Sequence, residues 1–237
     1  MSVLTHFKIG LRPIILTVFA FTMVSNANAH QVWLEQDDNN TVRIYLGEPG
    51  VPDSGDKIAN LKDAQVFTDN RSELAVLSQE NDHWEGTVGV GDVRLFTDKV
   101  WEPWAIDNDE SKASWWKFWE GEPENLQGAI LQARAGRVET NAMLTYELVP
   151  TITGGDTFIA LFNGSSLAEQ EISLLSPSKK EVTLTTDADG RVDVSSFLTE
   201  QGRFVLESVH TIEIDAVHSG KKVDSLMYIS TLSFIVY

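Results

Sequence analysis

The sequence predicts an all-β protein, a β-sandwich in two immunoglobulin-like modules that follows a leader of 29 residues. Three observations carry this expectation. Short runs rich in Val, Ile, Leu, Phe and Thr recur from Val32 to Val236. Clusters of Gly, Asn and Asp separate them at near-regular spacing, as in sandwich folds. The 208 residues left after the leader suffice for a buried core, and with no cysteine that core must hold without disulfides.

The leader is read from its three parts. Lys8 and Arg12 give a positive start, Pro13 to Val24 is an apolar run, and Ser25 to Ala29 ends in Ala27-Asn28-Ala29. The apolar run suits a signal peptide and is short for a transmembrane helix. Cleavage after Ala29 is expected, giving an exported, periplasmic protein with no direct membrane insertion after cleavage. No later long apolar run exists, and no cysteine is present to accept a lipid.

Residues 30–143 are expected to form an amino-terminal β domain. Val32 to Leu34 and Val42 to Leu46 flank the turn cluster Asp37 to Asn40, a hairpin pattern. Gly47 to Asp56 reads as a Gly/Pro loop. Ala64 to Phe67, Leu74 to Leu77, Trp84 to Val90 and Val93 to Thr97 supply further strands. Residues 101–128 hold five of the seven tryptophans and are expected to be irregular, with a short helix near Ser111–Trp119. Residues 136–143 read as a linker.

Residues 144–237 are expected to form a carboxy-terminal immunoglobulin-like sandwich. Leu144 to Val149 is stopped by Pro150, and Thr157 to Phe162 ends at the Asn163-Gly164 turn. Glu171 to Leu175 and Val182 to Thr185 follow. Thr186 to Arg191 turns into Val192 to Val194, and Phe204 to Val209 and Met227 to Val236 close the chain.

Formal net charge is −17, and removing the leader, which contains two cations and no acid, takes it to −19. Nucleic acid and anionic membrane surfaces are therefore poor partners. No nucleophile elbow, phosphate loop, dinucleotide fingerprint or H-E-x-x-H motif occurs, so no enzyme class is indicated.

Four histidines survive cleavage: His30, His83, His210 and His218. His30 would become the first residue, carrying a free α-amine beside its imidazole. Amine and Nδ1 can close a chelate ring on a metal ion, which no internal histidine can do. Alternation along Phe204 to Thr211 puts His210 on the face of Phe204, Leu206 and Ser208, opposite Val205, Glu207 and Val209. His210 is the candidate second ligand. His218, in the polar run Val217 to Lys222, reads as solvated, and His83 as part of a hairpin turn. The tryptophans of 101–119 read as filling beneath a long loop, or else as an exposed surface for sugars or proteins.

Several segments together resemble a known family. Ala29-His30-Gln31-Val32-Trp33-Leu34-Glu35, Leu148-Val149-Pro150, Thr185 to Arg191, Phe204-Val205-Leu206-Glu207 with His210, and Thr231 to Phe234 resemble, in order, the exported domain-of-unknown-function family 4198. That resemblance implies a carboxypeptidase-regulatory-like β-sandwich and a periplasmic role in nickel or cobalt uptake. It raises His30 and His210 as metal ligands. The expected ion is nickel, cobalt or copper, and the expected partner beyond it a membrane metal transporter. Two other readings stay open: a copper-dependent polysaccharide oxygenase built on the amino-terminal histidine, and a metal-free structural or binding module.

Overall fold

In a computed structural model, residues 30–37, 39–71, 73–106 and 125–237 are described. The leader and the helix expected at Ser111–Trp119 lie outside the described residues. The rest is an all-β sandwich in three sheets. The first contains β1 (Gln31–Gln36), β2 (Thr41–Glu48), β3 (Val51–Pro52), β5 (Leu77–Gln79) and β6 (Trp84–Thr87). The second and largest contains β4 (Gln65–Phe67), β7 (Val93–Thr97), β8 (Trp104–Ala105), β9 (Leu126–Ala135), β13 (Glu171–Leu175), β14 (Glu181–Thr185), β16 (Gly202–His218) and β17 (Lys221–Val236). The third contains β10 (Tyr146–Pro150), β11 (Thr157–Phe162), β12 (Ser165–Ser166) and β15 (Arg191–Asp193).

Alternation in the large sheet builds two cores. Odd residues of β9 and β17 (Ala129, Leu131, Ala133, Ile229) pack with Val32, Leu34, Val42 and Ile44 of the first sheet. Even residues of β17 (Tyr228, Leu232, Phe234) pack with Tyr146, Leu148, Phe158 and Ala160 of the third. The first and third sheets therefore cover opposite faces of the large one, giving three layers. The strand order is β14-β13-β16-β17-β9-β7-β4. β17 pairs parallel with β9 over Ser225↔Gln127 to Ser233↔Ala135. The boundary expected at 143/144 falls between β9 and β10, and the large sheet crosses it.

The turns form for the reasons their residues suggest. Asp37 Oδ1 accepts the Asn39 and Thr41 amides at 2.9 and 3.0 Å, closing the β1–β2 hairpin. Asn163 and Gly164 both take positive φ (50° and 78°), the type I′ geometry that suits strand twist. Ser219 and Gly220 (φ 48° and 77°) do the same between β16 and β17.

Three expectations change. Leu126–Ala135 is a ten-residue central strand, where the sequence reading had irregular chain up to residue 128. Gly128, Gln132 and Arg134 interrupt its apolar residues, so its signal is weak. The strand at Leu74 to Leu77 begins only at Leu77. β16 continues to His218, because the Ser219-Gly220 turn lets it pair with β17 to the end. His218 is therefore not solvated. It is buried, and its ring lies over Gly128, where an added Cβ would meet it at 2.8 Å.

Candidate functional site

His30 stands immediately before β1, half exposed, with Nε2 3.1 Å from Asp53 Oδ2. Asp53 is mostly shielded and also accepts from Lys57 Nζ at 3.1 Å. The Gly47 to Asp56 segment folds back along β2 through the short strand β3, which carries Asp53 to the start of β1. With Nε2 held by Asp53, Nδ1 is the ring nitrogen left to meet a ligand. A ring nitrogen engaged by a carboxylate is the usual outer partner of a metal-bound histidine, fixing tautomer and ring direction.

His210 lies elsewhere. Its ring packs among Phe162 (4.8 Å between centroids), Tyr146 (5.8 Å) and its cross-strand partner Tyr228, on the face covered by the third sheet. Burial holds its pKa below the ordinary imidazole value. His30 belongs to the layer on the other face, so the structure does not bring these two histidines together. His83 Nδ1 donates to the Asp82 carboxylate at 2.8 Å, and the ring packs on Tyr45. Among the described residues no three His, Asp or Glu side chains converge on a common metal position. Trp101 and Trp104 meet edge to face at 6.4 Å and lean on the first core, as filling residues would. Trp115, Trp116 and Trp119 lie outside the described residues.

Two features escaped the sequence reading. One is a cleft of about 550 Å³ between the edge strand β1 and the odd face of β13, β14 and β16, which the first sheet leaves uncovered. Val205, Val209 and Leu175 give it apolar floor, and Glu48, Glu169, Glu171, Glu181 and Glu207 line it. Burial, reinforced by the Glu181 charge, pushes the Glu207 carboxyl up to about 7, although Gln31 hydrogen-bonds to it. Gln31 is only 7% exposed, and its Oε1 has no hydrogen-bond partner. Lys179 spans the cleft mouth, with Nζ bonded to the Gly50 carbonyl at 3.1 Å rather than to a carboxylate. The sequence carried one signal: an acid at 207 between Val205 and Val209 on one face.

The other is a buried charge network. Arg94 and Arg134 are cross-strand partners on β7 and β9, both fully buried. Arg94 Nε and Arg134 Nη1 bond Glu147 Oε1 at 2.9 and 2.8 Å, and Arg94 Nη1 bonds Glu139 at 2.8 Å. Arg134 Nη2 bonds Asp92 at 2.5 Å and also reaches the Glu139 carbonyl. Glu147 Oε2 accepts the Met143 and Leu144 amides at 2.6 and 2.9 Å. The arginines thus tie Glu147 of the third sheet and the 136–143 connection onto the large sheet, on the face that the third sheet covers. Arginines inside VRLFT and AILQARA were the available sign of buried pairing.

No family model matches the chain, and no curated protein matches it. Among solved structures, a biofilm-associated protein BSP domain is similar at 12% identity, covering 85% of this chain and 29% of that one, with a TM-score of 0.17. The chain thus spans less than a third of that structure. A superposition this loose carries no argument about function.

Proposed function

We propose that the chain is an exported, transition-metal-binding protein whose site is completed by processing at Ala29. The observation that carries the reading is the His30–Asp53 contact. Asp53 occupies Nε2, leaving Nδ1 free to act with the α-amine that cleavage would create. Nickel, cobalt and copper all suit an amine–imidazole pair, and copper ranks highest in intrinsic affinity. The resemblance of the segment beginning at Ala29 to an exported family associated with nickel and cobalt uptake supports the same reading, with delivery to a membrane transporter as the role. His210 is not part of this site, because it faces the opposite layer.

The test is a metal titration of protein that begins at His30, beside protein carrying one extra residue before it. The expected result is one ion per chain for the first and loss of the tight site in the second. Binding should weaken in acid, since the amine, with an ordinary pKa near 8, must lose its proton. Asp53→Asn should lower affinity about 10- to 100-fold, and His210→Ala should leave it unchanged. Equal binding by the extended protein refutes the proposal.

A further inference from the structure

We propose that the cleft between β1 and the open face of β13, β14 and β16 binds an organic cation bearing alkylammonium groups, with Gln31 and Glu207 as its inner anchor. This does not rest on the metal reading, since His30 takes no part in it.

The argument begins with an unmet acceptor. Gln31 Oε1 is buried and unpartnered at the inner wall of the cleft. A buried polar atom without a partner carries a desolvation penalty of about 1–3 kcal/mol, which a bound N–H donor removes. Its own amide is tied to Glu207, so the donor must come from outside the pair. Charge points the same way. Among the described residues none of Glu48, Glu169, Glu171, Glu181 and Glu207 is ion-paired, and the one lysine at the mouth spends its ammonium on the Gly50 carbonyl. An acceptor-rich wall of five carboxyl groups, with its one lysine held at the mouth on a carbonyl, fits a ligand that is positive and donates several N–H bonds.

The shape excludes a bare metal ion as the best occupant. No three of these side chains converge closely enough to hold one. About 550 Å³ lies in the range of small-molecule sites, commonly 300–1,000 Å³. Val205, Val209 and Leu175 between the acids supply apolar surface for methylene segments. Ammonium groups linked by short aliphatic chains match this alternation. The same chemistry is presented by a free polyamine and by the lysine side chains of a peptide.

Isothermal titration of the protein with spermidine, with tetralysine and with the uncharged control 1,4-butanediol tests this. Spermidine, tetralysine or both should bind with a dissociation constant that rises with salt, while butanediol should not bind. Spermidine alone assigns the site to a free amine, and tetralysine alone to a peptide. Gln31→Ala and Glu207→Gln should each weaken binding at least tenfold. Glu213→Gln removes an equal charge from an exposed position of β16 outside the cleft, and should change binding less than twofold. Denaturation midpoints of all three variants report folding. The proposal is overturned if neither amine binds at millimolar concentration, or if Glu213→Gln weakens binding as much as Glu207→Gln does.

Discussion

Glu207→Gln should stabilise this protein in mild alkali and do little in acid, the reverse of the usual loss of a carboxylate. Burial and the neighbouring Glu181 charge raise the Glu207 pKa from 4.5 to about 7 on folding. The folded state therefore binds this proton more tightly. Its stability contribution is intact below pH 4.5 and declines as pH rises through 7. Each tenfold change in proton affinity is worth about 1.4 kcal/mol. Linkage then gives a penalty under about 1 kcal/mol at pH 5, and roughly 3 kcal/mol at pH 8.5 as a ceiling. Water entering the open cleft lowers the ceiling, so about 1–2 kcal/mol is the working expectation. Glutamine keeps the size and the bond to Gln31 but never ionises. Urea denaturation of both proteins from pH 5 to 8.5 measures the difference directly, because all other titrating groups cancel. A difference that stays flat with pH refutes the reasoning.

Two further outcomes test the packing. Arg134→Met should destabilise by about 3–5 kcal/mol, because it leaves Asp92 and Glu147 buried with one arginine between them; equilibrium unfolding checks this. Gly128→Ala should cost about 1–3 kcal/mol, since the new methyl would stand 2.8 Å from the His218 ring, and the same change in a His218→Ala background should cost clearly less in a double-mutant cycle.

Much of the fold was legible because its signals are local. Val93 to Thr97, Thr157 to Phe162 and Glu171 to Leu175 are strands at the bounds expected from alternation and turn residues. Leu126–Ala135 was not, because Gly128, Gln132 and Arg134 break up its apolar residues and the strand owes its stability to long-range pairing with β17 and β7. The faces of β16 were also legible, including Glu207 opposite Phe204. What that face meets was not, since the cleft exists only because β1 stops short of covering β13 and β14. The His30–Asp53 contact is equally non-local: it depends on β3 folding back along β2. Pairing His30 with His210 required knowing which layer each strand joins, and sequence spacing contains no such information.

The shared central sheet has a consequence for how the molecule unfolds. All seven tryptophans precede residue 120; Trp84, Trp101 and Trp104 lie against the first core, and Trp33 is buried on the other face of β1, stacked on Tyr45. Tryptophan fluorescence therefore reports the amino-terminal half. Leu232 is fully buried in the second core, on the opposite face of β17 from Ile229. Its truncation in Leu232→Ala removes apolar packing worth about 2–5 kcal/mol. If the two halves unfolded independently, that loss would leave the fluorescence transition in place and shift only the circular-dichroism signal of the second. However, β17 contributes to both cores. Thr231 Oγ1 also donates to the Val32 carbonyl at 2.7 Å, fastening the edge strand β1 to the same strand. Losing β17 from the second core strips the first of Ile229 and of this bond together. Fluorescence and circular dichroism should therefore shift to one lower midpoint in Leu232→Ala, as a two-state transition requires. A fluorescence midpoint unmoved by the substitution would mean that the sheet joins two separately stable modules.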